Sequence, residues 1–200
     1  INFIRQFKGV IIFGGYPYPE LLNDGFFQRV KQVDEIFSNR QRIYVNVYDK
    51  PGRTAWYDVP AKNILTIRID GNWQREVLSY IFMILCALKC RNVYFHSILS
   101  IDRFKFMFKL PGVTKILDVH GVVPEEFHYH KHFESEKHHN ILESYAIERS
   151  NYVVVVTEKM RQHLIWKYHG KVLGKCILLP IMRDIQWIEF RKPFTNDKPV

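Results

Sequence analysis

The chain has 200 residues and a mass of 24.0 kDa, enough for one domain with a sizeable core. Its content of 47% apolar, 24% charged and 15% aromatic residues excludes disorder, collagen-like repeats and low complexity. Its 29 Lys and Arg outweigh 20 Asp and Glu, giving a net charge of +9, which points to an anionic partner: nucleic acid, an acidic membrane face or a phosphorylated substrate.

Strands are predicted over Val10 to Gly14, Arg42 to Tyr48, Ile64 to Ile69, Asn92 to Phe95, Lys115 to Val119, Tyr152 to Thr157 and Cys176 to Pro180. Each is a short β-branched or aromatic run, and longer amphipathic stretches separate them. Phe26, Val30, Val33 and Phe37 mark the inward face of a first helix. Val77, Ile81, Ile84 and Leu88 repeat that spacing in a second, expected to face the core in the same way. Two more helices are expected over Glu134 to Arg149 and Glu158 to Tyr168. Runs such as Val153-Val154-Val155-Val156 are apolar at every position, as in strands covered on both faces. The predicted fold is therefore α/β, a doubly wound, mostly parallel sheet of Rossmann-like type. Residues 1–189 are read as this domain, and residues 190–200, with Pro193 and Pro199, as a linker into a further domain.

Cys86, Cys90 and Cys176 are an odd number within apolar runs, which suits reduced core thiols. Leu78 to Leu88, bracketed by Glu76 and Lys89, is shorter than the roughly 20 residues a bilayer-spanning helix needs. With no secretory leader at the start of the sequence, the expected location is cytoplasmic.

In doubly wound sheets ligands sit beyond the carboxyl ends of the strands. Gly14 and Gly15 follow the first strand; they either bring backbone amides close to a phosphate or sugar, or serve a tight turn. The pattern is neither G-x-G-x-x-G nor a Walker loop. After the fifth predicted strand, Asp118-Val119-His120-Gly121 places an imidazole where it can donate to a hydroxyl or phosphate oxygen. The histidine-rich stretch, Glu126 to His139, alternates His128, His130 and His132 with other residues. That spacing fits no metal-ligand pattern, so no metal is expected and the stretch reads as a mobile loop. Thr157 is a helix N-cap with Glu158 in the first turn, a helix end that also suits a nucleotide phosphate. Arg103, Lys105 and Lys109 alternate with Phe104, Phe106 and Phe108. Either the rings face an anionic membrane with the cations, or they pack inward beneath solvated cations.

The Gly-Gly loop, the G-F-x-x-R-V helix opening at Gly25, the D-V-H-G block and Ile147 to Met160 together resemble the N-terminal, acceptor-side domain of family-four glycosyltransferases of GT-B fold. Asn151 stands where that family commonly has an acidic residue, Thr157 where it has serine, and the usual G-H-x-V before strand two is absent. The resemblance implies a retaining enzyme that moves a sugar from a nucleotide-sugar co-substrate to a saccharide or lipid-linked acceptor, in cell-surface polysaccharide or glycolipid synthesis at the inner face of the membrane. It implies no cofactor or essential metal. It also implies that the donor site lies mostly on a second domain of the same protein, without which these residues are inactive. By the same resemblance His120 is the catalytic candidate and Gly14, Gly15, Thr157 and Glu158 line the substrate site; Asp118 and Gly121 join them by their place on either side of His120 at the strand end. Two other function classes compete. A non-catalytic basic module would bind nucleic acid or membrane, although no nucleic-acid motif is present and none is expected to bind. A cofactor-binding Rossmann enzyme lacks its glycine fingerprint here.

Overall fold

The computed structural model describes residues 7–46, 57–69 and 72–180. It contains one sheet of eight strands. In chain order the main elements are β1 (Val10–Phe13), α1 (Gly25–Ile36), β2 (Arg42–Asn46), β3 (Tyr57–Ala61), β4 (Ile64–Arg68), α2 (Trp73–Cys90), β5 (Asn92–His96), β6 (Thr114–Val119), α3 (Val123–Tyr129), α4 (Phe133–Arg149), β7 (Tyr152–Val155), α5 (Glu158–Lys167) and β8 (Cys176–Leu178). The strand order is β3-β4-β2-β1-β5-β6-β7-β8. Every neighbouring pair is parallel except β3 with β4. This is the doubly wound, mostly parallel α/β sheet expected from the apolar runs. The proposed linker, 190–200, lies outside the described residues.

Alternation along the strands creates two cores. Ile11, Phe13, Val93, Phe95, Leu117 and Val119 point to one face, where they meet Met83, Cys86 and Ala87 of α2 and Leu142 and Ala146 of α4. Val10, Ile12, Tyr44 and Tyr94 point to the other and pack under Val30 and Val33 of α1. Burying these two apolar faces is what holds such a layered domain together.

Three local features differ from the sequence expectation. β3 is an added edge strand whose Pro60 lies in the ladder's irregular stretch, between the Asp58 and Ala61 pairings, a place where a missing N–H is tolerated. The stretch read as a mobile histidine loop is instead α3 and the start of α4. Pro124 sits in the first turn of α3 with Glu125 and Glu126, a favourable helix opening. The side chains there are partnered: His128 Nδ1 lies 2.9 Å from Glu136 Oε2, and the His139 ring stacks on Phe127 at 4.6 Å. Finally, α2 is turned relative to its predicted face. It buries Ser79, Met83, Cys86 and Ala87, while Val77, Ile81 and Leu88 are exposed.

Candidate functional site

Strand periodicity and register assemble the site. Tyr94 and His96 share one face of β5 because they are two residues apart, and Asp118 takes that face of β6. The parallel register sets His96 beside Asp118. His120 follows two residues later, just past the carboxyl end of the strand. α1 crosses above, bringing Phe26 and, one turn on, Arg29 over the same spot.

Asp118, with 0% exposure, is the hub. Arg29 Nε donates to its Oδ2 at 3.1 Å and Arg29 Nη2 to its Oδ1 at 3.3 Å. Tyr94 Oη donates to Oδ2 at 2.5 Å. The third arm of the guanidinium, Nη1, reaches the Leu179 carbonyl at 2.8 Å, tying α1 to the segment after β8. Burial alone would raise the carboxyl pKa, but the His96 ring beside it and the Arg29 charge outweigh burial and hold it down, at about 2. His96 Nδ1 lies 3.5 Å from Oδ2, and among the described residues neither ring nitrogen of this buried histidine has a well-formed hydrogen bond.

His120 stacks against His96 at 4.6 Å, tilted by 30°, and the edge of Phe26 meets both rings at 4.9 Å. Burial, with the His96 charge next in size, pushes the His120 pKa down to about 4. At neutral pH its imidazole is uncharged and carries one donor and one acceptor nitrogen. Its Nδ1 is buried without a partner.

The residues expected at the site divide into two groups. Gly14 lies against His96: a Cβ there would come 3.0 Å from the His96 Cβ. A Cβ at Gly15 would meet Phe27 at 3.0 Å, and Phe27 packs edge-on against Phe26. Both positions are tight: a side chain at either would have to push its neighbour back by a few tenths of an ångström. The amide of Gly14 donates to the Val45 carbonyl at 3.0 Å, so it is spent on the sheet and is not offered to a phosphate. Asp118 is also enclosed rather than facing substrate: each oxygen is engaged by Arg29, and its part is to position the surrounding side chains. A Cβ on Gly121 would approach only the carboxylate end of Glu126, at 2.9 Å, which can swing away.

Thr157 and Glu158 stand past the carboxyl end of β7, at the same sheet edge. Thr157 Oγ1 accepts from the Met160 amide at 3.1 Å, the expected cap, and Glu158 pairs with Arg161 at 3.3 Å. Their geometry is that of a helix opening. Thr157→Ala is expected to lower stability by about 1 kcal/mol, read by thermal or urea unfolding; an unchanged midpoint would show that the cap contributes nothing. Along Asp102–Lys109, Phe104, Met107 and Phe108 are buried, so the rings pack inward beneath Arg103, Lys105 and Lys109.

Arg29, Tyr94, His96 and Phe26 are the members of the cluster that sequence reading did not select. His96 was within reach, since it ends a strand just as His120 follows one. Arg29 carries a subtler signal: a cation between Phe26 and Val30 on an otherwise apolar helix face.

The ligand atoms of His96, Asp118 and His120 lie within 4.8 Å of one another, a donor set that invites a metal. The surroundings do not suit one. Asp118 Oδ2 already accepts from Arg29 and Tyr94, and a dication would sit beside the guanidinium with a single carboxylate to offset both. The cluster fits hydrogen bonding to an organic ligand better than metal coordination.

No family model matches the chain, and no curated protein matches it. Solved structures do. Sucrose-phosphate synthase from Thermosynechococcus elongatus superimposes with a TM-score of 0.61 at 11% identity, over 86% of this chain and 48% of that one. A second structure of that synthase gives 0.56 at 11% identity, covering 90% of this chain and 92% of its own. The chain spans about half the length of the first of these structures. What it shares with them is the architecture: a Rossmann-like α/β domain with a glycosyltransferase-like, GT-B type fold.

Proposed function

We propose that these residues form the acceptor-side half of a glycosyltransferase that moves a sugar from a nucleotide-sugar donor to a saccharide or lipid-linked acceptor. The observation that carries this reading is the pair of stacked imidazoles, His96 and His120, held at the strand ends by the buried Arg29–Asp118 ion pair. The likeness in fold to sucrose-phosphate synthase and the family-four motifs support it. In this reading the enzyme is a retaining one that works at the inner face of the membrane, and a second domain supplies most of the donor site.

Breaking a glycosyl phosphate bond builds negative charge on the leaving oxygen and cationic character on the sugar. The site must therefore orient donors and exclude water more than supply a nucleophile. A neutral His120 suits that task. It hydrogen-bonds a sugar hydroxyl without adding positive charge near the developing oxocarbenium, and the leaving phosphate can take the acceptor's proton. Phe26 packs against both rings and shields them from water.

The test uses the full-length enzyme. His120→Ala is expected to lower transfer at least tenfold, about 1.4 kcal/mol of transition-state stabilisation, with an unchanged circular dichroism spectrum and unfolding midpoint. Turnover close to the parent's would remove His120 from the site and the reading with it.

A further inference from the structure

The turned face of α2 leaves a broad apolar surface in solvent. Trp73 is 71% exposed, Val77 48%, Leu78 59%, Ile81 51%, Leu85 46% and Leu88 44%. At about 100° per residue these six side chains fall within an arc of roughly 140°. No charged residue interrupts the helix between Val77 and Leu88, and the opposite side is fixed to the sheet through Met83, Cys86 and Ala87. Solitary exposed leucines need no explanation, but a continuous strip of this kind marks an interaction surface.

The edges of the strip are cationic. Exposed Arg75 and Lys89 border one side, and Arg91, also exposed, follows the helix end. On the other side Arg103 folds over Glu76 at 3.6 Å. Beyond it the Asp102–Lys109 segment lies along α2, through the Tyr80 contacts to Phe104 and Phe106. Trp73, an amphipathic ring, lies at one end of the strip.

We infer that α2 lies flat on an anionic lipid bilayer, its apolar strip in the acyl boundary and its basic rim among the headgroups. Charge complementarity favours this occupant over a second copy of the chain, since a two-fold pairing of the same strip would bring basic rims together. The helix is too short and too amphipathic to span: among the described residues, no helix is long and apolar enough to cross a membrane. The docking is that of a rigid, prefolded helix. It also sets the orientation of the protein, because α2 begins at the carboxyl ends of the strands, where His120 lies. The inference deepens the proposed function by naming a surface from which a lipid-linked acceptor reaches the site, but its test is independent of transfer.

The full-length protein is sedimented with vesicles of phosphatidylcholine containing about one-third phosphatidylglycerol, and with pure phosphatidylcholine vesicles. The parent is expected to bind the anionic vesicles at least tenfold more strongly, with binding weakened by added salt. Ile81→Asp with Leu85→Asp changes only solvent-facing side chains; it is expected to reduce that binding at least tenfold, while the unfolding midpoint stays unchanged. Equal binding to both vesicles, no binding to either, or a double variant that binds like the parent would overturn the inference. So would a parent that is dimeric without lipid and becomes monomeric on the double substitution, which would assign the strip to self-association. None of these outcomes bears on His120 and transfer.

Discussion

Asp118→Ala is expected to cost about 3–5 kcal/mol of folding stability, the loss typical when one partner of a buried ion pair is removed. The substitution strands the Arg29 guanidinium, itself 1% exposed, with the Leu179 carbonyl at 2.8 Å as its one remaining partner among the described residues. It also deprives the Tyr94 hydroxyl of its acceptor. The cost therefore comes mainly from unpaired polar groups in a medium of low dielectric. A companion variant, Arg29→Met with Asp118→Leu, removes both charges and fills the space; it is expected to be less destabilised than Asp118→Ala alone. Urea unfolding of the three proteins decides the matter. A single variant within about 1 kcal/mol of the parent would show that Arg29 finds water or another partner, and that the ion pair is not what anchors the cluster.

His120 gives the second large effect, as a loss of stability on acidification. Its pKa is about 4 in the folded protein against an ordinary 6.5. Between those values the unfolded chain takes up a proton that the folded one refuses, so unfolding is favoured as pH falls from 6.5 towards 4. At about 1.4 kcal/mol per pKa unit the effect amounts to at most roughly 3 to 4 kcal/mol, less because the ring is partly open to solvent. Asp118 behaves differently. Its pKa is depressed from 3.8 to about 2, so its contribution is complete above 3.8 and is lost only as pH drops through that lower window. The two groups therefore act in separate ranges. His120→Asn is expected to flatten the profile between pH 6.5 and 4 and to leave the region below it intact. A variant whose stability falls just as steeply between 6.5 and 4 would assign that acid sensitivity to another group.

The same cluster shows how much of the site could be read in advance. The strand-end rule located His120, and alternation put Asp118 on its side of β6, because both follow from the period of two in an extended chain. The rule applied equally to His96 but missed it, since the strand was taken to stop at Phe95. The role of Asp118 was misjudged for another reason. Whether a carboxylate faces substrate or a buried cation depends on Arg29, which lies 89 residues away in sequence. Gly14 could offer its amide to a phosphate or serve a tight turn; that amide is paired with Val45, on a strand whose position only the sheet determines.

Helix α2 shows a limit of another kind. It is apolar around most of its circumference, so two stripes, one through Val77 and Ile81 and one through Met83 and Cys86, fit a buried face equally well. Small side chains at Ser79 and Ala87 allow the helix to approach the sheet closely on the second stripe, which leaves the bulkier residues outside. α3 was missed although Pro124-Glu125-Glu126 is a good helix opening, because the alternating histidines that follow obscured the period.

The amino-acid sequence by itself determined the class of fold and which residues stand just past the strand ends, since strand length, apolar runs and loop positions are local properties of the chain. Only the tertiary structure decided that Arg29, Tyr94 and Asp118 form one buried polar group, that Gly14 packs closely against His96, and which side of α2 meets solvent. Each of those depends on neighbours distant in sequence, whose packing and charge set the cost of burial.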